Sequence, residues 1–588
     1  MKTKHLIFVL FTTLGSSLVH SQVTPVQLGR ASNAFTITRS SQNQVVADDT
    51  SGLVAFIHRQ DVTIWGGGGA ESGKLRYDIS TNGGLTFSND IGVLNNTYTT
   101  PARYPQITGY NILQSTNPLQ ILLPWSASTV SVPSWDGYVT GLSNAVTVGA
   151  PTSTENYIEV GNESYITGGL CQGLPGEFWM TSRDFVDPIL GDSVRLYKGT
   201  YNGGSTDIDW VKYLSVEPNH YLGFDGNSRI VGENMGFSPD GTTGWMAYLG
   251  DLIGGQDSTY NPIFMKSTDG GVTWGPFTEI DLNAITYVGD SISLSAELQR
   301  LFEPAGGLGS GLATGSFECD LTVDANGNPH MFLSVANATL ASGGTPAYSL
   351  FTGATKLGID VTSDDGGITW KAIKIATINT LRGLHGINSL TMDNYPQVSR
   401  TSNGSHIFYS WTDSDTSNIA VTSNNDFPDL RIAGLRISDS YQTCPKSISD
   451  GDITWGGLML FPTMAPTVLS DTSATGDYKL PIVAMDMIAN DDLQPCAFWY
   501  FGNDATLLET DFVAPGAILS MDDCIVDCNP ASNYTFVAAD FDVVFTNTST
   551  VTSTPTYFWD FGDGNTSTLE DPNHTYAATG TYLVCLTI

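Results

Sequence analysis

The sequence predicts an all-β chain in two parts: a closed array of antiparallel sheets of the multi-bladed β-propeller kind, then a small β-sandwich. Three observations predict it. An eight-residue turn closing on an aromatic is spelled three times, far apart. A strand–turn–strand pattern recurs between those turns, and periods of several tens of residues are the signature of arrays and propellers. Near the C-terminus the text changes to short alternating strands around "WDFGDG".

At the N-terminus, Lys2 and Lys4 precede an apolar run over residues 6–19, and Val19-His20-Ser21 offers a small-residue cleavage pattern. This predicts a secretory signal peptide over residues 1–21. No later run is long and apolar enough for a transmembrane helix. The expectation is a secreted protein, extracellular or at a bacterial cell surface. The next segment, "VQLGRASNAFTIT", supplies an outer strand that closes the array and removes its exposed edges.

The repeated turns are "STNGGLTF" (residues 80–87), "STDGGVTW" (267–274) and "SDDGGITW" (363–370), each after a strand-like run. The paired glycines supply positive φ at little steric cost. The Asn or Asp before them bonds backbone N–H groups of its own turn. The closing Phe or Trp plugs the turn from beneath, which predicts a self-contained clasp. A worn copy, "YNGGSTDIDW", covers residues 201–210.

Between the clasps, hairpin-like segments begin at Gln44, Tyr104, Gly168, Asn234, Asp320, Gln397 and Ala465. Seven copies predict seven blades. Six follow if one of the weaker copies, at Tyr104, Gly168 and Ala465, is discounted. The one clear helical pattern starts at Ser291, with Leu294, Leu298, Leu301 and Phe302 on one face and Pro304 as a stop.

The clasps resemble the Asp-box (BNR) repeat, Ser/Thr-x-Asp-x-Gly-x-Thr-Trp/Phe, found in sialidase-like β-propellers. The resemblance rests on Ser80, Asn82, Gly84 and Phe87; Ser267, Asp269, Gly271 and Trp274; and Ser363, Asp365, Gly367 and Trp370. It implies a box joining the outer two strands of a blade, at the rim and away from the binding face. These residues are then scaffold, not catalysts.

The tail closely resembles a PKD domain, an Ig-like β-sandwich. The match lies in Trp559, Asp560, Gly562, Asp563 and Gly564, then in "PNHTY" (572–576) and "GTYLV" (580–584). PKD domains serve as spacers, adhesion or docking modules, so no catalysis is implied there. The domain boundaries expected are 1–21 signal peptide, 22–512 propeller, 513–530 linker and 531–588 sandwich. The ending at Ile588, right after a strand, predicts that the parent protein continues. The combination resembles exported Bacteroidetes-type proteins.

Charge narrows the partners. With 24 Lys+Arg against 59 Asp+Glu the net charge is −35. Phosphate backbones are repelled, so nucleic acid is excluded as a partner. The seven cysteines show no paired metal-ligand spacing. Cys524 and Cys528 are close enough for a local disulfide; Cys171, Cys319, Cys444 and Cys496 read equally well as buried thiols. No cofactor is required by any motif. Acidic loops offer the hard oxygen ligands that suit Ca2+.

For chemistry, acids placed at the starts of inner strands are Asp48, Asp49, Glu233, Glu318 and Asp320. Arg59, Arg229, Arg382 and Arg400 are the arginines nearest such positions. Two facing carboxylates would suit glycoside hydrolysis, and an arginine fork would clamp a carboxylate. Yet the Phe/Tyr-Arg-Ile-Pro signature of sialidases is absent from the mature N-terminus. His330 and His406 enter apolar strands at equivalent places, which points to packing; His385 stands in a loop near Arg382. The sequence therefore predicts binding of an extracellular glycan or other polymer on a central face rich in Trp and Tyr. A sialidase-like glycoside hydrolase using Glu233, Glu318, Asp320, Arg229, Arg382 and Arg400 is the alternative.

Overall fold

The computed structural model describes residues 24–514 and 534–587, apart from short internal segments. The predicted signal peptide, Arg229, linker residues 515–530, Cys524, Cys528 and Gly562 to Gly564 lie outside the described residues. The chain forms two compact units, one within Val23–Ser520 and the other within Met521–Ile588.

Among the described residues of the larger unit, seven sheets share one plan, an antiparallel meander starting from an innermost strand. The first runs Val45–Asp48, Leu53–Arg59, Leu75–Ser80 and Ser88–Gly92. The next five begin at Ala102–Ile107, Gly168–Gln172, Val231–Phe237, Leu312–Val323 and Gln397–Arg400. The seventh runs Leu460–Met464, Ile482–Asp486 and Cys496–Tyr500, and its fourth strand is Val26–Ala31, from the other end of the unit. Val26 pairs with Tyr500 and Ala31 with Cys496, so the array closes into a propeller.

Apolar clusters bind each sheet to the next. Ile57 and Tyr77 pack with Ile107 and Trp125, from sheets one and two. Met331 and Leu333 pack with Trp245 and Phe264, from sheets five and four. Leu28 and Phe498 pack with Val45 and Phe56 across the closing seam. Trp125, Trp179, Trp245 and Trp411 on the second strands are all buried in such clusters. Each buries about 150–250 Å², worth about 4–6 kcal/mol of transfer free energy.

The three clasps each join a third strand to a fourth. In each, the serine hydroxyl donates to the Asn or Asp carboxamide or carboxylate (2.8–2.9 Å) and accepts the N–H of the second glycine (2.7–2.9 Å). The clasp is not self-contained, however. Phe87 lies 5.0 Å from Tyr500, Trp274 5.9 Å from Trp179 and Trp370 5.8 Å from Trp245, each ring belonging to the preceding sheet. A methyl on Gly84, Gly271 or Gly367 would collide with that same ring, and all three have positive φ. The doubled glycine thus opens a seat for a neighbour's aromatic, and the turn stitches sheet to sheet.

One further expectation changes. The seventh innermost strand is Leu460–Met464, upstream of the segment that begins at Ala465. Asp477–Lys479 instead pairs with Leu469–Ser470 on one side and Thr506–Leu508 on the other, in a side sheet. Leu460–Met464 is buried throughout and carries a proline, so it shows no alternation to read. The helix spans Leu294–Phe302 and buries Leu294 and Leu298 in the fourth–fifth sheet core.

In the smaller unit two three-stranded sheets enclose Phe545, Trp559, Phe561, Tyr576, Val584 and Leu586. Trp559 is fully buried while Phe558 is exposed, as alternation requires, and the indole donates to Leu569 O at 2.9 Å.

Candidate functional site

Among the described residues the innermost strands of different sheets form no ladder with one another, so their edges need other partners. Buried side chains supply them. Gln106 donates to Thr167 Oγ1 and accepts the Leu170 N–H. Asn234 donates to Asp320, which also accepts the N–H groups of Leu321 (2.9 Å) and Val398 (2.8 Å). Gln397 donates to Ser40 O and accepts from Met464 N–H. Burial holds the Asp320 carboxyl up at about 7, against the pull of these donors. Asp320 is thus a three-strand bridge within the ring wall.

The two ends of the ring differ. Where the innermost strands begin, residues 36–44, between the closing strand and the first sheet, lie across the ring. Gly169 N–H donates to Ser41 O; Gln42 donates to Thr167 O and Tyr104 O; Asn43 donates to Leu170 O. From the other side Tyr395 Oη donates to Ile37 O. Thr36, Ile37, Gln42 and Gln44 are fully buried. The strand starts bend around this plug. Register shifts occur at Arg103/Gln106, Gly168/Cys171, Val231/Asn234 and Leu460/Thr463. Tyr104, Gly169, Gly232 and Phe461 within them, and Tyr395, take positive φ.

Beside the plug sit three of the sequence candidates. Glu318 accepts the N–H groups of Tyr395 (2.7 Å) and Asp393 (3.3 Å). Arg382 grips Asp393 with Nε and Nη2 at 2.8 and 3.1 Å, and its guanidinium lies 4.6 Å over the Phe317 ring. Burial and then the charge of Asp393 raise the Glu318 pKa. Glu233 pairs with Arg183 at 3.2 Å. The acids and arginines here are spent on each other or on backbone. Asp393 and Arg183 were not among the candidates, because neither stands at the start of a repeated inner strand: Asp393 precedes the hairpin that begins at Gln397, and Arg183 ends the second strand of the one that begins at Gly168.

Where the innermost strands end, the ring opens into a cavity of about 490 Å³ lined from all seven sheets. Asp48, Asn111, Gln172, Ser238, Thr322, Arg400 and Thr467 contribute one side chain each. This is the clasp end: Gly83 N–H bonds Gly52 O and Gly270 N–H bonds Thr242 O, tying clasps to inner-hairpin turns. Asp48 and Asp49 therefore stand at the end of a strand and in its turn, not at a start. Asp48 accepts from Ser51 and Asn111, and Asp49 accepts the Ser470 N–H at 2.7 Å. Among the described residues, Arg400 donates to carbonyls alone, those of Thr401, Ser402 and Phe237, at 3.1–3.5 Å. Burial lowers its pKa to about 10. The aromatic platform expected here is absent from the cavity lining, where Phe237 is the one ring. The tryptophans of the second strands are in the intersheet cores instead.

Elsewhere, Arg59 is buried against Asn33 and Ser72 and does not line this cavity. His330 bonds Asp360 at 2.6 Å, with Asp324 at 3.6 Å on its other nitrogen. His406 packs among Phe408, Tyr478 and Phe512. His385 is buried in a short hairpin with Leu390–Met392. Cys319 and Cys496 are buried thiols; Cys171 and Cys444 are free and partly exposed. Among the described residues no helix is long and apolar enough to cross a membrane.

Residues 529–588 match the PKD domain family. No curated protein matches the chain. Among solved structures, the chain is similar to Trypanosoma rangeli sialidase in complex with the inhibitor DANA, at 15% identity and a TM-score of 0.34, covering 69% of this chain and 55% of that one. It is similar to the GH93 α-L-arabinofuranosidase of Fusarium graminearum with arabinobiose, at 10% identity and TM-score 0.31, covering 65% and 90%. It is also similar to a luciferin-regenerating enzyme, at 9% identity and TM-score 0.29, covering 68% and 92%.

Proposed function

We propose that the protein is an exported, extracellular or cell-surface binding protein, a seven-bladed propeller that takes a hydroxyl-rich polymer end, such as a glycan, into the axial cavity at its clasp end. The carrying observation is Arg400: a guanidinium in the cavity wall with no carboxylate among its hydrogen-bond partners in the described residues. The N–H groups that these carbonyls do not engage can bind ligand hydroxyls or a carboxylate. The volume falls in the about 300–1,000 Å³ range of small-molecule sites. The acids around it support binding over hydrolysis, because Asp48, Asp49 and Asp320 already accept N–H or O–H groups that hold strands and turns together. The test is a glycan array with the full chain, followed by calorimetry on any hit. Arg400→Ala should weaken binding at least tenfold, and Arg382→Ala should leave it unchanged; the reverse pattern sinks the assignment.

The hydrolase reading has one favourable observation, the pairing of Glu318, a carboxyl whose pKa burial raises, with Asp393, which Arg382 grips. Turnover of fluorogenic glycosides, sialosides included, that is lost in Glu318→Gln would establish it.

A further inference from the structure

His58, Asp78 and Asp90 meet in the first sheet, beneath the strand that closes the ring. His58 is the last residue but one of the second strand, Asp78 lies on the third and Asp90 on the fourth. His58 is fully buried, and its Nδ1 lies 2.9 Å from the carbonyl of Arg59. A carbonyl cannot donate, so Nδ1 carries a proton, and Nε2 is left facing two carboxylate oxygens. Asp78 Oδ1 is at 3.4 Å and Asp90 Oδ1 at 3.7 Å. Neither contact is aligned as a hydrogen bond, and both His58 Nε2 and Asp90 Oδ1 are buried without a hydrogen-bond partner. The nearby Arg76 does not fill the gap: it donates to Gln60 Oε1 and to the Asp90 carbonyl, and stacks on Trp65.

The rest of the site is fixed from outside. Asp78 accepts the Asp90 N–H at 2.7 Å and the Gly29 N–H at 2.9 Å. Gly29 belongs to the closing strand, and a methyl there would come within 2.8 Å of His58 Nε2 and 2.9 Å of Asp90 Oδ1. Its missing side chain is what lets the strand pass over the three groups. His330 provides a contrast within the same molecule. It too has two aspartates, but one bonds it directly at 2.6 Å, as an imidazolium would.

We infer that His58 Nε2, Asp78 Oδ1 and Asp90 Oδ1 form a site for one divalent transition cation such as Zn2+ or Mn2+. Metal–ligand bonds of about 2.0–2.2 Å place tetrahedral ligand atoms about 3.4 Å apart, close to the spacings seen. A neutral imidazole with two carboxylates balances a charge of +2, and the nitrogen ligand favours a transition ion over Ca2+. The backbone bond to Nδ1 is the usual outer partner of a ligating histidine. Asp90 is partly exposed, so water can complete the coordination. The cation would pin three strands of the first sheet under the strand that shuts the ring.

The full chain, stripped with chelator and dialysed, should take up one equivalent of Zn2+ and melt at a higher temperature once loaded. Asp90→Asn should weaken uptake at least tenfold, while His330→Gln leaves it unchanged. Loading with Co2+ gives a second readout that needs no variant: visible absorption and an X-ray absorption edge with one imidazole in the shell. No stoichiometric uptake by the wild type overturns the inference and makes His58 an imidazolium held by two aspartates. Uptake indifferent to Asp90→Asn overturns it as well, as does a Co2+ shell without imidazole.

Discussion

The two ends of the ring are built from the same repeated strands but use their polar groups in opposite ways. At the strand-start end, residues 36–44 cross the ring and consume its donors and acceptors; Glu318, Asp393 and Arg382 beside them are tied together. At the strand-finish end no segment crosses among the described residues, and the polar groups of seven sheets line a cavity that includes Arg400. The lesson is that a carboxylate near a propeller axis says little by itself. Its value depends on whether the neighbouring edge has already claimed it.

The largest effect expected is at the wall between the two ends. Asp320→Ala strands the N–H groups of Leu321 and Val398 and the Asn234 amide, and should cost about 3 kcal/mol or more in chemical denaturation. A loss below about 1 kcal/mol would mean that Asp320 is not a bridge and is available for chemistry. Next, Gln42→Ala leaves the Tyr104 and Thr167 carbonyls of the ring without their donor from the plug and should cost about 1–3 kcal/mol. Arg400→Ala, at the open end, should cost less than about 1 kcal/mol, and equal costs at the two sites would erase the distinction.

The smallest effect concerns acid. In the clasps, hydrogen bonds from Thr273 and Thr369 hold Asp269 and Asp365 down at about 2, below the ordinary 3.8. Their contribution is therefore complete above the unfolded value and fades as pH falls from about 4 to about 2. Asp269→Asn with Asp365→Asn should flatten that stretch of the stability curve, read by thermal melts at stepped pH. The titrations at neutral pH should not move.

Much of this architecture could be read before any coordinates. Gly-Gly turns, alternating inner hairpins, the closing strand and the Leu294–Leu298 helix face each leave a periodic or compositional mark. The plug does not: residues 36–44 are irregular, and their burial comes from lying inside a ring formed by distant residues. The bent strand starts are equally silent, since Tyr104, Tyr395 and Phe461 take positive φ with side chains that rarely choose it. The clasp aromatics were legible as apolar plugs, but their partners on the preceding sheet, such as Trp179 for Trp274, are set only by how sheets stack. Of the candidate site residues, Glu318 and Arg382 do come together, through Asp393, while Arg400 stands at the other end.

The closing strand has a consequence in time. Residue 26 finds its partner only at residue 500, so the first strand synthesised is among the last to dock. Until then both terminal sheets present raw edges, and the unfinished chain is open to self-association. Such distant pairing also slows folding, because the entropy of a very long loop is lost before the pairing returns any stability.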